Sequence, residues 1–265
     1  MTVLEVENLS FAYGGHLVLR EIELAIQPGE FVSIIGPSGC GKSTLLSLIA
    51  GMRQAVVGDI RFEAAGEGTQ RAVVFQDFAL LPWKDVLANV VMGLGYQRPD
   101  LSRTERRARA QRYIDLVGLS GFERKFPYQI SGGMKQRVGI ARALAVEPNV
   151  LLLDEPFASI DAQNAEILRK ELQDLVTEQG RTAVMVTHNL DEALYLSDRI
   201  LLMGTRPGCI RADVSVDLPH PRGPEMTNPE DQAAYSRLRN QLWNHLSEEV
   251  AQEKKWMGQR QNGEM

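Results

Sequence analysis

Residues 36–44 read Gly36-Pro37-Ser38-Gly39-Cys40-Gly41-Lys42-Ser43-Thr44. They fit the pattern G-x-x-x-x-G-K-[ST], whose chemistry is phosphate binding. Gly39 and Gly41 let the backbone curl so that successive N–H groups converge on phosphate oxygens. A helix opening at the end of the loop adds the partial positive charge of its N-terminus. Lys42 brings a compact cation to a β- and γ-phosphate, and the Ser43 hydroxyl is a ligand for Mg2+. Cys40 sits at a variable position of the pattern and reads as a filler rather than a redox switch.

A second group is Asp154-Glu155-Pro156, which closes the apolar run Val150–Leu153. Next to a phosphate loop, Asp154 would hold Mg2+ directly or through water, and Glu155 would orient or deprotonate an attacking water. The same two acids could instead cap the helix that follows. His188 comes about one helix and one strand after the pair, directly behind the β-rich run Thr182–Val186. There it could bond a γ-phosphate or be an ordinary exposed histidine. Gln76 ends the run Val73–Phe75, where a glutamine could touch Mg2+ or the attacking water.

A third group is Ile130-Ser131-Gly132-Gly133-Met134, placed ahead of a helical run through Ala141–Leu144. Ser131 can cap that helix, and the two glycines leave its N-terminal N–H groups accessible. This is a second anion site. One nucleotide does not need two such sites in one chain, but a symmetric dimer could place each nucleotide between one loop from each subunit.

These groups need a scaffold that brings strand ends and loops to one edge. The first 35 residues read as strands. In Val18–Ile26 the apolar residues Val18, Ile22, Leu24 and Ile26 fall on even positions, with Arg20 as the exception, the period of a strand with one wet face. Phe31–Ile35 is a short apolar run suited to a buried strand, followed by a helix through Leu45, Leu46, Leu48 and Ile49 that Gly51 ends. Arg71–Phe75, Val150–Leu153, Thr182–Val186 and Arg199–Met203 are further short β runs. Lys84–Ala145 is helical in character, and Leu168, Leu172, Leu175 and Val176 mark another long helix. Short apolar strands alternating with helices predict an α/β fold with a mainly parallel sheet. After about Asp217 the composition changes. Leu218–Pro224 is too rich in proline for a helix or central strand. Beyond it Leu238, Leu242 and Leu246 predict one amphipathic helix, with the last dozen residues frayed.

Composition sets limits. The chain has 265 residues, 44% hydrophobic and 24% charged, with a net charge of −5. That balance argues against nucleic-acid binding through global charge. Residues 101–126 hold seven basic side chains against three acidic ones. They read as a solvated helix face, with docking or a lipid headgroup as the other use. Two cysteines, Cys40 and Cys209, exclude a disulfide scaffold and favour a reducing compartment. There is no apolar run of 18 residues, and the acidic, alternating N-terminus does not read as a signal peptide.

Taken in order, Tyr13, Gly36–Thr44, Gln76, Ser131–Gly133, Asp154-Glu155, Asp161 and His188 resemble the motifs of the ATP-binding subunits of ABC transporters over nearly the whole chain. The resemblance implies a P-loop NTPase fold: a RecA-like, mainly parallel sheet core, an antiparallel β subdomain and an α-helical subdomain. It implies an ABC nucleotide-binding domain over 1–217, with the helical subdomain at about 84–145, and a C-terminal extension over 218–265. It implies ATP as substrate with Mg2+ held by Ser43, Gln76 and Asp154, and Tyr13 stacked on adenine. Ser131, Gly132 and Gly133 would contact the ATP of a second copy, and Ser159-Ile160-Asp161 would form the dimer-crossing loop. The usual signature ends in glutamine where this chain has Met134, which leaves the backbone anion site but removes one side-chain contact; several importer subunits of the family carry methionine there.

Phe75–Trp83, Asn89-Val90, Gly93-Leu94, Glu155-Pro156-Phe157 and Asp217–Arg222 look like the nitrate, sulfonate and taurine importer branch. Trp83 by itself reads as core or interface packing. The family mechanism implies a homodimer that closes over two Mg-ATP, an integral membrane permease as a separate polypeptide, and indirectly an extracytoplasmic substrate-binding protein. It places the chain peripherally at the cytoplasmic face of the inner membrane, with no nucleic-acid partner. Three other readings remain open here: an exporter's ATPase, a non-transport ABC ATPase, and a P-loop kinase, which would have no use for Ser131–Gly133.

Overall fold

The computed structural model of the chain describes residues 2–62, 71–178, 180–220, 222, 223 and 226–261. The side chains at 175, 177, 178 and 252–261 lie outside that description, including Leu175 of the expected helix pattern; so do Pro221 and Pro224 of the proline-rich tail element. The chain forms two compact units, residues 1–63 with 185–265, and residues 64–184.

In the first unit, strands β1 (Leu4–Tyr13), β2 (His16–Ile26) and β4 (Val57–Phe62) form an antiparallel sheet ordered β2-β1-β4. The even-position pattern of β2 holds for Ile22, Leu24 and Ile26 and then changes phase: Leu19 is buried, and Val18 is not fully so. The cause is a β-bulge. Leu9 pairs with Ile22 but Phe11 pairs with Leu19, so β2 spends one extra residue. Glu21 absorbs it at φ 49, its N–H donating to Ser10 Oγ at 3.0 Å. Arg20, the exception in the pattern, is thereby left in solvent.

Strand β3 (Phe31–Ile35) is wholly buried and leads to α1 (Lys42–Ile49), which Gly51 closes at φ 76. β3 lies parallel to β8 (Arg199–Gly204), and β8 pairs antiparallel with β9 (Cys209–Ser215). Strand β7 (Thr182–Val186) carries the chain from one unit back into the other, and α6 (Leu190–Leu196) follows. Ile35, Leu194, Ile200, Leu202, Val216 and Leu242 share one core. The last of these belongs to α7 (Pro229–Gln261), the expected amphipathic helix, with Leu238 and Leu246 packed beside it. The helix continues to Gln261, into the last dozen residues that the sequence predicts to be frayed; residues 262–265 lie outside the described residues. Arg222, 2% exposed, explains why the tail turns here. Its guanidinium donates to the carbonyls of Leu218, Val216 and Ser197, and burial pulls its pKa down.

In the second unit, β5 (Arg71–Val74) runs parallel to β6 (Val150–Asp154), with Val74 opposite Leu153. Helices α2 (Val86–Gln97), α3 (Arg103–Leu116) and α4 (Gly132–Ala145) pack on one another, and α5 (Ala162–Glu178) follows β6. Local chemistry starts each helix. Asp85 accepts from Ala88 N–H, Ser102 forms a capping box with Glu105, and Ser131 accepts from Met134 N–H. Asn89 is fully buried; its amide binds the carbonyls of Leu81, Lys84 and Asp85 and the N–H of Leu81, and so fixes the loop ahead of α2. Trp83, on that loop, is 70% exposed and belongs to no core. Among the described residues no helix is long and apolar enough to cross a membrane.

Candidate functional site

In the first unit the phosphate loop begins where β3 ends. Gly39 and Gly41 sit at φ 77 and φ 101, a region that L side chains rarely enter, so the curl expected of these glycines is present. Gly41 is also the N-cap of α1 and offers no side chain, so the first N–H groups of α1 are left for a ligand. Lys42 is only 7% exposed. Its ammonium folds back over the loop and donates to Gly36 O at 2.8 Å and Pro37 O at 3.0 Å. Ser43 lies open beside it.

Two further expected residues share this unit. Thr187 N–H donates to Ile34 O at 3.2 Å, which sets the end of β7 beside the end of β3, and His188 is the next residue along. It is exposed, between buried Thr187 and Asn189, the cap of α6. Tyr13 closes β1, 41% exposed, with its ring edge-on to Phe11 at 4.8 Å. The Arg53 guanidinium lies over the Tyr13 ring at 4.9 Å. Nothing in the sequence around Arg53 marks it, because the contact joins residues 40 positions apart.

In the second unit, parallel pairing of β5 and β6 brings their C-terminal ends to one edge. Gln76 and Glu155, 79 positions apart, meet there: the Gln76 amide donates to Glu155 Oε2 at 3.3 Å. Glu155 takes φ 45, unusual for a residue with a side chain and a frequent mark of functional positions. Asp154 is the last residue of β6, half-buried. The acid pair does not cap the following helix, an alternative that the sequence left open. Asp161 does so. Its carboxylate accepts from Asn164 N–H at 3.1 Å and from the Asn164 amide at 2.8 Å, and these bonds hold its pKa below the ordinary carboxylate range.

Ser131, Gly132 and Gly133 stand at the exposed start of α4. The Ser131 hydroxyl accepts from Met134 N–H at 3.2 Å, so the methionine in place of the usual glutamine takes part through its backbone. A Cβ on Gly132 or Gly133 would meet nothing of this chain closer than 3.7 Å. These glycines are therefore not required by internal packing. Further along α4, Arg142 donates to Ala79 O at 2.6 Å and Phe78 O at 3.0 Å. Phe78 and Ala79 are both at positive φ, so Arg142 holds the backbone just beyond Gln76 in a conformation it would otherwise leave. The sequence did not single out Arg142; only its place on the same helix as Ser131 connects it with the site.

The donors expected for Mg2+, the Ser43 hydroxyl, the Asp154 carboxylate and the Gln76 carbonyl, are all oxygens, which suits this hard cation. Among the described residues no group of three His, Cys, Asp or Glu side chains could hold a metal alone.

Comparison with known proteins gives one consistent answer. A family model described as "ABC transporter" matches residues 19–158. The uncharacterized ABC transporter ATP-binding protein MJ0412 of Methanocaldococcus jannaschii is 44% identical over 254 residues, 93% of this chain and 92% of that protein. The nitrate import ATP-binding protein NrtC of Synechococcus elongatus is 46% identical over 240 residues, 89% of this chain but 36% of that longer protein. Among solved structures, the dimeric post-hydrolysis state of the ATP-binding cassette MJ0796 with ADP and Pi superimposes with a TM-score of 0.73. It is 32% identical, over 83% of this chain and 99% of that one.

Proposed function

The chain belongs to the ABC transporter family, as an ATP-binding, ATP-hydrolysing cassette with the P-loop NTPase fold, and we propose that it energises an importer of a small anion such as nitrate, a sulfonate or taurine. The hydrolytic part of the reading rests on the Gln76–Glu155 hydrogen bond at 3.3 Å, which brings an amide and a carboxylate together at one strand edge. The import part rests on the 46% identity to a nitrate import ATP-binding protein.

In this reading Gly36–Thr44 wrap the phosphates, Lys42 leaves the Gly36 and Pro37 carbonyls for a γ-phosphate, and His188 adds a further donor. Glu155 takes a proton from the attacking water while Gln76 orients it. Ser43, Asp154 and Gln76 would hold Mg2+, which would supply charge neutralisation at the phosphates. Tyr13 presents its ring to adenine. Ser131, Gly132 and Gly133 serve the nucleotide of a second copy. The exposure of Ser131 and Gly132, and glycines that internal packing does not demand, support that use. The dimer-crossing loop would include Asp161.

Closure of such a dimer does transport work only if something outside it responds. The helical region, about residues 84–145, is the surface we assign to a membrane permease, with the chain peripheral at the cytoplasmic face and a binding protein acting on the far side. A pocket of about 520 Å3 between α2 and α3 supports this, with Arg103, Arg107 and Arg124 in its wall. Its acids, Asp85 and Glu123, are already engaged by Ala88 N–H and by Gly121 N–H with the Gln111 amide, which leaves arginine chemistry to a partner.

The test is uptake. Cells lacking the chain should lose ATP-dependent accumulation of one of nitrate, taurine or an alkyl sulfonate, and Lys42→Ala should fail to restore it. Unchanged uptake of all three removes this substrate reading; loss of efflux instead would make the chain part of an exporter.

A further inference from the structure

The C-terminal helix α7 carries a carboxylate where a solvent-facing helix needs none. Glu249 is 8% exposed, and a buried charge is costly unless paired. It lies seven residues after the fully buried Leu242, on the same helix face, and Arg239 fastens the helix to Asp191 of α6 at 2.6 Å. Glu249 reaches the turn that joins β8 to β9. Its Oε1 pairs with Arg211 Nε at 3.5 Å, and its Oε2 accepts from Thr205 N–H at 3.3 Å. The same oxygen and Arg211 Nε each lie 2.7 Å from where a Cβ on Gly204 would stand, so the carboxylate rests directly on backbone.

Both ends of that turn abut the phosphate loop with no side chain between. A Cβ on Gly36 would lie 2.5 Å from Met203 O, and one on Gly208 would overlap the Cys40 carbonyl. Gly208 is also tied to β2, donating to Val18 O at 2.8 Å and accepting from Arg20 N–H at 2.9 Å. Leu19, between those two residues, fills the space that a Cβ on Gly41 would need. The loop thus leans on residues 203, 208 and 19, and the stretch Gly204-Thr205 between the first two is held by Glu249.

We propose that Glu249 is a positioning residue for the phosphate loop: through Gly204, Thr205 and Arg211 it holds the β8–β9 turn against Gly36–Cys40, so that docking of α7 sets the affinity for ATP. This rests on Gly36–Thr44 being the ATP site. A turn free to move outward would let the loop relax and spread the N–H groups that must converge on phosphate. The effect would fall on nucleotide binding, because no part of this chain of contacts includes a group that transfers a proton.

The test compares full-length wild type with Glu249→Gln, Glu249→Ala and Arg211→Ala, by steady-state ATP hydrolysis and by thermal melting without nucleotide. Glu249→Ala should raise the KM for ATP about fivefold, with kcat at saturating ATP within about twofold. Glu249→Gln keeps an oxygen for Thr205 N–H and should restore much of the loss. Arg211→Ala, at a side chain 48% exposed and so safe for folding, should raise KM by a smaller factor. Unchanged KM in both Glu249→Ala and Arg211→Ala overturns the proposal. So does a KM rise no larger than that of Leu242→Ala, which loosens α7 without touching the turn. If the wild type itself fails to bind ATP, the phosphate-loop reading is lost and this inference falls with it.

Discussion

The two halves of the chemistry are built differently. The phosphate loop is tightly held. Lys42 is 7% exposed with two internal acceptors, and backbone at Met203 and Gly208 stands against Gly36 and Cys40. The edge carrying Gln76, Glu155 and Ser131 is more open to solvent, with Gln76 and Ser131 exposed and Glu155 half-buried. The Gln76 amide reaches Glu155 at 3.3 Å, Glu155 sits in an unusual backbone conformation, and Gly132 and Gly133 would each accept a Cβ at ordinary contact distance. A site that must bind substrate in its resting state gains from preorganisation, since less freedom is lost on binding. A site that must act only in a closed state gains from being incomplete until then, because its interactions are then spent on the transition state. The contrast teaches that binding and hydrolysis should separate under mutation.

The most severe way to break the contrast is Glu155→Gln. It keeps the shape and an acceptor for the Gln76 amide but removes the proposed base. Turnover measured by phosphate release should fall on the order of a thousandfold, while ATP affinity stays within a few-fold of wild type. Turnover near wild type would dismiss Glu155 as the base. Lys42→Ala tests the other half. It removes the buried cation and frees two loop carbonyls, so affinity itself should fall about a hundredfold by equilibrium binding. If Lys42→Ala altered only kcat, the loop would not be the preorganised half.

How far these regions could be read from sequence follows the same divide. The phosphate loop depends on glycine and lysine spacing within nine residues, and the structure keeps that geometry locally, at Gly39 and Gly41. Strands β3, β6 and β7 were visible because each is a continuous buried apolar run. The hidden parts were β4, mostly exposed, β9, with its alternating charged positions, and α6, seven residues long with a buried Glu192. Each lacks the period that marks an element. The site's supports were hidden for another reason. Gln76 with Glu155, Arg142 with Phe78 and Ala79, and Glu249 with Thr205 are contacts between residues 44 to 79 positions apart. Side-chain type alone says nothing about which distant carbonyl or carboxylate it will meet.

Ser131→Ala should have an intermediate effect. Its hydroxyl caps α4 and, in the dimer reading, also faces the nucleotide of the other copy, so turnover should drop about tenfold with little change in first-site affinity. Mixing Ser131→Ala chains with Lys42→Ala chains sharpens this. A fraction of mixed dimers would then carry one intact composite site, and activity should recover above either parent. No recovery at any mixing ratio would sink the shared-site model and leave Ser131 as a cap.

The smallest expected effect tests how the second anion site is built. Met134 stands where the family signature has glutamine, yet the Ser131 cap uses only the Met134 N–H, at 3.2 Å. If the site consists of backbone N–H groups and a serine, the side chain at 134 is peripheral. Met134→Gln should then change turnover by less than about twofold, within the range of ordinary surface substitutions. An increase of tenfold or more in phosphate release would mean that the amide adds a direct contact across the dimer. The second anion site of this chain would then lack one side-chain contact that glutamine supplies.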